Sequence, residues 1–276
     1  MIVTRFAPSP TGLLHLGHAY AALFARQEAG AEGRFLVRIE DIDRSRARRE
    51  LEAGIFDDLA WLGLAWEQPV RRQSEHMGDY RDALAHLEAD GLVYPCFCTR
   101  RTVAAEIADA GAAPHGTSTI YPGTCRTLSA SERADRIAAG QAYALRFDSR
   151  EASRRAGEIT FTDAARGTIA VDPDVIGDAV IARKDVPASY QLAVVVDDAA
   201  QGVTLVTRGE DLLDATHVQR LLQAALGLPE PRYHHHRLLL NAAGERLSKR
   251  DGALSLKALR EVGVTPVEIR KRLGFD

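Results

Sequence analysis

The alternation of strand and helix patterns over residues 1–93 constrains this chain more than any other feature. Apolar residues near Ile2–Ala7 read as a strand; a helical spacing follows from about Gly17 to Glu28, then a strand pattern near Phe35–Ile39, then helical stretches at Ala47–Leu62 and His76–Asp90. A period of two marks a strand and a period near 3.6 marks a helix. Strands separated by helices run parallel, because each crossover helix returns the chain to the same edge. The expected fold class is therefore α/β, with ligands gathering at the carboxyl edge of the sheet.

Between Tyr94 and Thr127 the alternation gives way to a segment bearing cysteine, glycine and proline, followed by short apolar runs at Tyr143–Phe147, Glu158–Phe161 and Thr168–Val171. These runs read as antiparallel structure inserted into the α/β frame. The α/β pattern is expected to resume at Ala179–Ala182, with a helix at Tyr190–Val196, a strand at Val203–Thr207, a helix at Leu212–Leu226 and an apolar segment at His234–Leu240. The expected organisation is residues 1–93 and 176–240 as two halves of one unit, 94–175 as an inserted module, and 241–276 as a polar loop with short helices.

No stretch is apolar enough to span a bilayer, and the N-terminus lacks a secretory signal, so a cytoplasmic protein without a membrane partner is expected. The formal charge of −3 excludes bulk electrostatic binding of nucleic acid, although a local basic face is invisible in that sum. Among the 35 basic side chains only Lys184, Lys249, Lys257 and Lys271 are lysines, so a lysine inside a motif stands out.

Residues Arg5 to His18 read Arg-Phe-Ala-Pro-Ser-Pro-Thr-Gly-Leu-Leu-His-Leu-Gly-His: a strand, a loop punctuated by Pro and Gly, and a helix start. Backbone N–H groups and the positive end of a helix dipole at such a junction favour phosphate. His15 and His18 share one face, and Gly17 lets a ligand approach the backbone. Taken alone, two histidines flanking a glycine are more often capping or surface residues. Near the other end, Arg246-Leu247-Ser248-Lys249-Arg250-Asp251-Gly252 is a basic loop of the kind that carries a lysine onto a phosphate.

His15-Leu16-Gly17-His18 resembles the HIGH signature, and Arg246-Leu247-Ser248-Lys249-Arg250 the KMSKS signature, of class I aminoacyl-tRNA synthetases. Arg5-Phe6-Ala7-Pro8-Ser9-Pro10-Thr11-Gly12 and Arg38-Ile39-Glu40-Asp41-Ile42-Asp43 resemble the glutamyl branch, and the likeness covers nearly the whole chain. The resemblance implies a Rossmann-type class I synthetase catalytic domain in which a substrate carboxylate attacks the α-phosphorus of ATP, with Mg²⁺ at the phosphates. His15, His18 and Lys249 would be the catalytic groups, and ATP would lie against His15, Gly17, His18, Ser248 and Lys249.

The same resemblance implies a glutamate pocket lined by Arg5, Ala7, Ser9, Glu40, Tyr190 and Arg208. Two carboxylates call for guanidinium partners, and Arg5 and Arg208 each end a strand at the carboxyl edge. Arg5 is assigned to the side-chain carboxylate and Glu40 to the ammonium group. The alternative for either arginine is a structural ion pair, with Glu40 or Glu210.

The three cysteines, Cys96, Cys98 and Cys125, fall in one stretch, which suits a metal clip better than a disulfide framework. Zinc takes four ligands, and from ligand chemistry alone His115 is the better fourth. Cys96-Phe97-Cys98 followed by Tyr121-x-x-x-Cys125 resembles instead the zinc module of short glutamyl-synthetase paralogues, which implies one structural Zn²⁺ held by Cys96, Cys98, Tyr121 and Cys125. The third possibility is three buried reduced thiols.

Full glutamyl-tRNA synthetases continue past the lysine loop, whereas this sequence ends at Asp276, so no anticodon-binding domain is expected. The inserted module would be the zinc-bearing, acceptor-binding-like part of the fold. These features resemble the paralogues that glutamylate queuosine in the anticodon loop of tRNA(Asp). The partners then expected are L-glutamate, ATP and queuosine-bearing tRNA(Asp), with no obligate protein partner. Two further readings are a minimal synthetase charging a tRNA 3′ end and a non-catalytic glutamate or nucleotide sensor.

Overall fold

The computed structural model describes residues 1–99, 101–104, 120–183, 188–239 and 255–275. Its strands are β1 (Val3–Phe6), β2 (Arg34–Ile39), β3 (Arg71–Arg72), β4 (Val93–Cys96), β5 (Ala144–Phe147), β6 (Thr160–Asp163), β7 (Gly167–Ala170), β8 (Val180–Arg183), β9 (Leu205–Gly209) and β10 (Arg232–His236). Its α-helices are α1 (Leu16–Ala29), α2 (Arg49–Trp61), α3 (Met77–Ala89), α4 (Ala130–Ala138), α5 (Ser149–Ala156), α6 (Tyr190–Ala200), α7 (Ala215–Ala225), α8 (Leu256–Glu261) and α9 (Pro266–Leu273).

β1, β2 and β3 pair in parallel, and β9 pairs in parallel with β10. The two groups meet at β1 and β9, where Thr204 N donates to Val3 O at 3.0 Å and Val3 N donates to Thr204 Oγ1 at 2.9 Å. This is the parallel core that the strand–helix alternation requires. Three strands sort differently from the sequence reading. The segment at Ala179–Ala182 is a strand, β8, but it runs antiparallel to β5 in the small sheet β4-β5-β8. The hairpin β6-β7 joins the β9-β10 sheet through β10. Alternation along a strand fixes which side faces inward; it does not fix the partner, which long-range packing decides.

Helix α1 packs an alanine face (Ala19, Ala22, Ala25, Ala29) onto β1 and β2, and small side chains let helix and sheet approach closely. Leu256, Leu259, Ile269, Leu273 and Phe275 enter the same core, so α8 and α9 dock against α1 and α2. Their starts are written locally. Ser255 accepts from Ala258 N at 3.1 Å, and Thr265 and Glu268 form a capping box with Pro266 in the first turn. The consequence is positional: Ser255 is delivered to the N-terminus of α1, where it forms a bridge with His15. No helix among the described residues is long and apolar enough to cross a membrane.

One core carboxylate is poorly accommodated. Asp58 on α2 is 1 % exposed, its Oδ1 has no hydrogen-bond partner among the described residues, and Arg260 Nη1 of α8 stands 3.8 Å away. Burial pushes its pKa from an ordinary 3.8 up to about 6, with Arg260 pulling the other way. Because the folded state holds the proton more tightly, ionising Asp58 costs stability as pH rises through about 4 to 6. Asp58→Asn is therefore expected to stabilise the protein at pH 7 by about 1–3 kcal/mol, with the gain vanishing below about pH 4. Melting temperatures of both proteins across that range check the sign.

Candidate active site

The junction of the Pro- and Gly-punctuated loop with α1 is built by the histidines themselves. His15 is the N-cap, its Nδ1 accepting from Gly17 N at 3.1 Å, and His18 Nδ1 accepts from His15 N at 3.2 Å. Both of these capping contacts use Nδ1. A neutral imidazole whose Nδ1 accepts carries its proton on Nε2, so both rings become donors at Nε2. The ring centroids are 3.8 Å apart. Gly17 leaves room for this arrangement, since a Cβ there would lie 3.0 Å from His15 Cε1 and the ring would have to give way slightly. His15, Gly17 and His18 line a cleft of about 140 Å³ with Gly209, Asp211 and His236.

A second cavity, about 330 Å³, brings together Ser9, Glu40 and Tyr190, three of the residues expected around glutamate, with Gln73, Arg183 and Ser189. Ala7 and the arginines Arg5 and Arg208 are not among its lining residues. Arg5 and Arg208 are buried on β1 and β9, at 5 % and 6 % exposure. The alternative pairings suggested by sequence are corrected: Arg5 pairs with Asp198, not Glu40, and Glu210 pairs with Arg166, not Arg208.

Arg5 donates from Nε and Nη2 to Asp198 at 2.9 and 3.3 Å and from Nη1 to Thr207 O at 3.0 Å. Three of its five N–H donors are used, leaving one on each Nη. Asp198 also accepts from Arg38, which donates to Glu40 Oε1 at 3.2 Å. Adjacent Asp197 accepts from Arg71 at 2.7 Å, Gln73 at 2.8 Å and Tyr80 at 2.8 Å. Asp198 is held down to about 2: burial opposes ionisation, but the Arg5 and Arg38 charges outweigh it. Glu40 is pushed up, by burial first, with Arg38 and Arg5 opposing. A carboxylate in that balance gains from a cationic ligand.

Arg208 differs. It donates to His235 Nε2 at 3.1 Å, Gln219 Oε1 at 2.6 Å and Thr216 Oγ1 at 2.7 Å, all neutral partners, and among the described residues no carboxylate pairs with it.

Comparison with known proteins decides the family. The family model described as tRNA synthetases class I (E and Q), catalytic domain, matches residues 1–275. The chain belongs to this synthetase family. It is 48% identical to the glutamyl-Q tRNA(Asp) synthetase of Rhodobacter capsulatus, across 99% of this chain and 100% of that protein. It is 46% identical to the protein of the same name from Symbiobacterium thermophilum, across 100% of this chain and 86% of that protein. The glutamate–tRNA ligase of Aquifex aeolicus is 41% identical, and the chain spans 55% of its length. A crystal structure of a glutamate tRNA ligase from Elizabethkingia meningosepticum in complex with its amino acid superimposes with a TM-score of 0.74 at 29% identity, covering 91% of this chain and 52% of that one.

In this class I synthetase chain the three cysteines converge. Their sulfurs lie within 4.8 Å of one another, and Tyr121 Oη is 3.4 Å from Cys96 Sγ and 3.7 Å from Cys98 Sγ. Cys125 N donates to Tyr121 Oη at 2.8 Å, and the Arg146 guanidinium stacks 3.7 Å from the Tyr121 ring centroid. Three sulfurs and one phenolic oxygen around one point match the ligand number and softness that zinc takes. Burial first, and the neighbouring Cys125 thiol next, push Cys98 up to about 12, a penalty that a bound divalent cation reverses. His115, Ser248 and Lys249 lie outside the described residues.

Sequence reading missed Arg38, Asp197 and Asp198 as a buried electrostatic unit that contacts Glu40 at the second cavity. The available signal was the pair of acids closing an otherwise apolar helix, Tyr190-Gln-Leu-Ala-Val-Val-Val-Asp-Asp. Acids that follow an apolar run at helical spacing land on the buried face and need cations there.

Proposed function

We propose that the chain activates L-glutamate as its adenylate and transfers the glutamyl group to queuosine in the anticodon loop of tRNA(Asp). The observation that carries this reading is the return of the chain to the histidine cleft. Leu239 lines the cleft, Ser255 bridges His15, and Leu256 N donates to Leu14 O at 2.8 Å. Lys249 lies in sequence between these anchors, six residues before Ser255. Six residues span at most about 20 Å, so the cleft is within its reach.

In the first step an oxygen of the glutamate α-carboxylate attacks the α-phosphorus of ATP, the bond to the bridging oxygen breaks, and pyrophosphate leaves. The Nε2–H groups of His15 and His18 and the Lys249 ammonium would stabilise the charge gathering on the phosphoryl oxygens, with Gly17 and Ser248 beside them. Mg²⁺ accompanying the ATP phosphates would neutralise part of the same charge. Glu40 would take the ammonium group, while Arg5, through its two remaining N–H donors, and Arg208 would take the carboxylates; Ala7, Ser9 and Tyr190 complete the pocket. Glutamine is rejected because its amide leaves a guanidinium poorly compensated. In the second step a queuosine hydroxyl attacks the carbonyl carbon of the mixed anhydride, AMP leaves, and an ester forms.

Support for the RNA acceptor is twofold. Arg44, Arg46, Arg48 and Arg49 are exposed, form no ion pair among the described residues, and line clefts shared with Pro10 and Thr11; with Arg72 they outnumber the acids Asp41, Glu50, Glu52 and Glu75 there by one, a mixed face with unpaired guanidinium groups. Unstacked loop bases flanked by phosphates suit such a face. Relatives named glutamyl-Q tRNA(Asp) synthetase also match at 48% and 46% identity, against 41% for the glutamate–tRNA ligase.

Glutamate-dependent pyrophosphate exchange tests the first step, and its absence at saturating ATP would leave the sensor reading. Nuclease mapping of labelled tRNA separates the acceptors: label in the anticodon fragment supports queuosine, and label on the 3′ fragment supports the minimal synthetase.

One structural zinc, held by Cys96, Cys98, Tyr121 and Cys125, would tie β4 to the turn at Thr124–Thr127. Metal analysis is expected to find about one zinc per chain. Tyr121→Phe is expected to keep the metal but weaken it about 10- to 100-fold in competition with a chelator. Zinc retention unchanged by that substitution would remove Tyr121 from the ligand set.

A further inference from the structure

Buried Arg208 faces neutral partners, and its surroundings explain how. β6, β10 and β9 are neighbours in one sheet, and in the parallel register of β10 with β9 His235 stands directly opposite Arg208. Asp163 closes β6 at an inward position where strand alternation calls for an apolar residue. Asp163 is in register with Tyr233, and its carboxylate reaches on to His235 two residues further along β10, so Asp163, His235 and Arg208 form a chain of contacts across three strands. We infer that Asp163 and His235 are a positioning pair that fixes the Arg208 guanidinium for a substrate carboxylate. The inference rests on the reading of Arg208 as a glutamate-binding residue and adds two residues to it.

The geometry sets the direction of every hydrogen bond. Asp163 Oδ1 accepts from Ala165 N at 3.0 Å and Arg166 N at 3.1 Å; Oδ2 accepts from His235 N at 3.0 Å and is 2.7 Å from His235 Nδ1. Arg166 Nη1 lies 3.6 Å from Oδ1. Burial opposes ionisation of Asp163, but the hydrogen bonds from His235 and the backbone prevail and hold its pKa below the ordinary value. An ionised carboxylate only accepts, so His235 Nδ1 must carry a proton and donate it. His235 is kept neutral, by burial first and by the Arg208 charge second, with its pKa pushed down to about 4. Its Nε2 is then a lone pair, which accepts from Arg208 Nε at 3.1 Å and faces the Thr216 hydroxyl at 3.2 Å as an acceptor too. The opposite tautomer would aim an N–H at the guanidinium.

With Nε held by His235, and Nη1 and Nη2 held by Gln219 and Thr216, the plane of Arg208 is fixed, and one N–H on each Nη remains for a ligand. Two parallel N–H groups match a carboxylate. Asp163 does not neutralise Arg208 directly; it acts through His235, so the guanidinium stays oriented and still short of an anion.

The test uses the full chain and glutamate-dependent pyrophosphate exchange, with glutamate and ATP titrated separately. His235→Asn keeps a donor toward Asp163 but withdraws the acceptor from Arg208; His235→Gln reaches back to it with an amide oxygen. His235→Asn is expected to raise KM for glutamate about 10- to 100-fold, the value of one hydrogen bond to a charged group, while KM for ATP changes less than about twofold. His235→Gln is expected to recover most of the loss. Asp163→Asn is expected to raise the glutamate KM about tenfold, because the Nδ1–H tautomer is no longer enforced. In the unaltered protein, ¹H–¹⁵N spectra of the imidazole, assigned with H235Q, are expected to show a neutral Nδ1–H ring at pH 7, a readout that does not depend on the activity of any variant.

An Nε2–H or doubly protonated ring at pH 7 would overturn the proposal. So would equal rises in both KM values, or a lowered melting temperature with both KM values unchanged. Arg208→Ala separates the layers: if it leaves the glutamate KM unchanged, the reading of Arg208 falls and the pair with it. If it raises that KM while the His235 and Asp163 variants do not, only the positioning pair is lost.

Discussion

Lys249→Ala is expected to slow glutamate-dependent pyrophosphate exchange by about a hundred- to a thousandfold, with KM for glutamate little changed. The ammonium acts on charge that develops as the α-phosphorus is attacked, and removing one preorganised donor from such a site costs about that much. Lys249→Arg is expected to recover only part of the rate, because a planar fork does not replace a compact charge. The expectation follows from the anchoring of the chain on both sides of the lysine loop, at Leu239 and at Ser255 against His15. Exchange that survives the alanine substitution within about threefold would show that the histidine cleft works without the lysine.

Arg208→Ala is expected to raise KM for glutamate by at least about a hundredfold, with a smaller effect on the maximal rate. The guanidinium is buried without an anionic partner among the described residues, so a bound carboxylate would be compensated there by charge-assisted hydrogen bonds, which alanine cannot supply. Arg208→Lys is expected to rescue little, since three protein acceptors and one ligand are matched to a planar fork. Arg5→Ala should behave differently. Arg5 is part of the Asp198 and Arg38 network, and its loss leaves a buried carboxylate under-compensated, so a fall in stability of about 3–5 kcal/mol accompanies any loss of binding. Glutamate titrations combined with melting curves separate the two arginines.

The parallel core was legible because its cause is local. The apolar periods of residues 1–93 write β1, α1, β2, α2 and α3 in order, whereas the caps Ser255 and Thr265 of the last helices were seen only in the structure. His15 and His18 were legible as a pair at helical spacing and the three cysteines as a cluster within one stretch, whereas Tyr121 entered only through the family resemblance, since ligand chemistry alone favoured His115. What sequence could not supply was partnership across distance. β8 and the β6-β7 hairpin carry the right alternation, yet nothing local tells which sheet will receive them. Arg5 and Asp198 are 193 residues apart and Asp163 and His235 are 72 apart, and in each case a polar residue at an inward position was the sole trace. Such positions break the expected pattern, and here they mark where buried charge is organised around the site.

The most direct test of glutamyl transfer to the anticodon loop is incubation of the protein with radiolabelled glutamate, ATP and two tRNA pools, one containing queuosine and one lacking it. The account predicts base-labile label on the queuosine-containing pool alone, on the anticodon fragment after nuclease cleavage. Equal labelling of both pools, or label on the 3′ fragment, would contradict it.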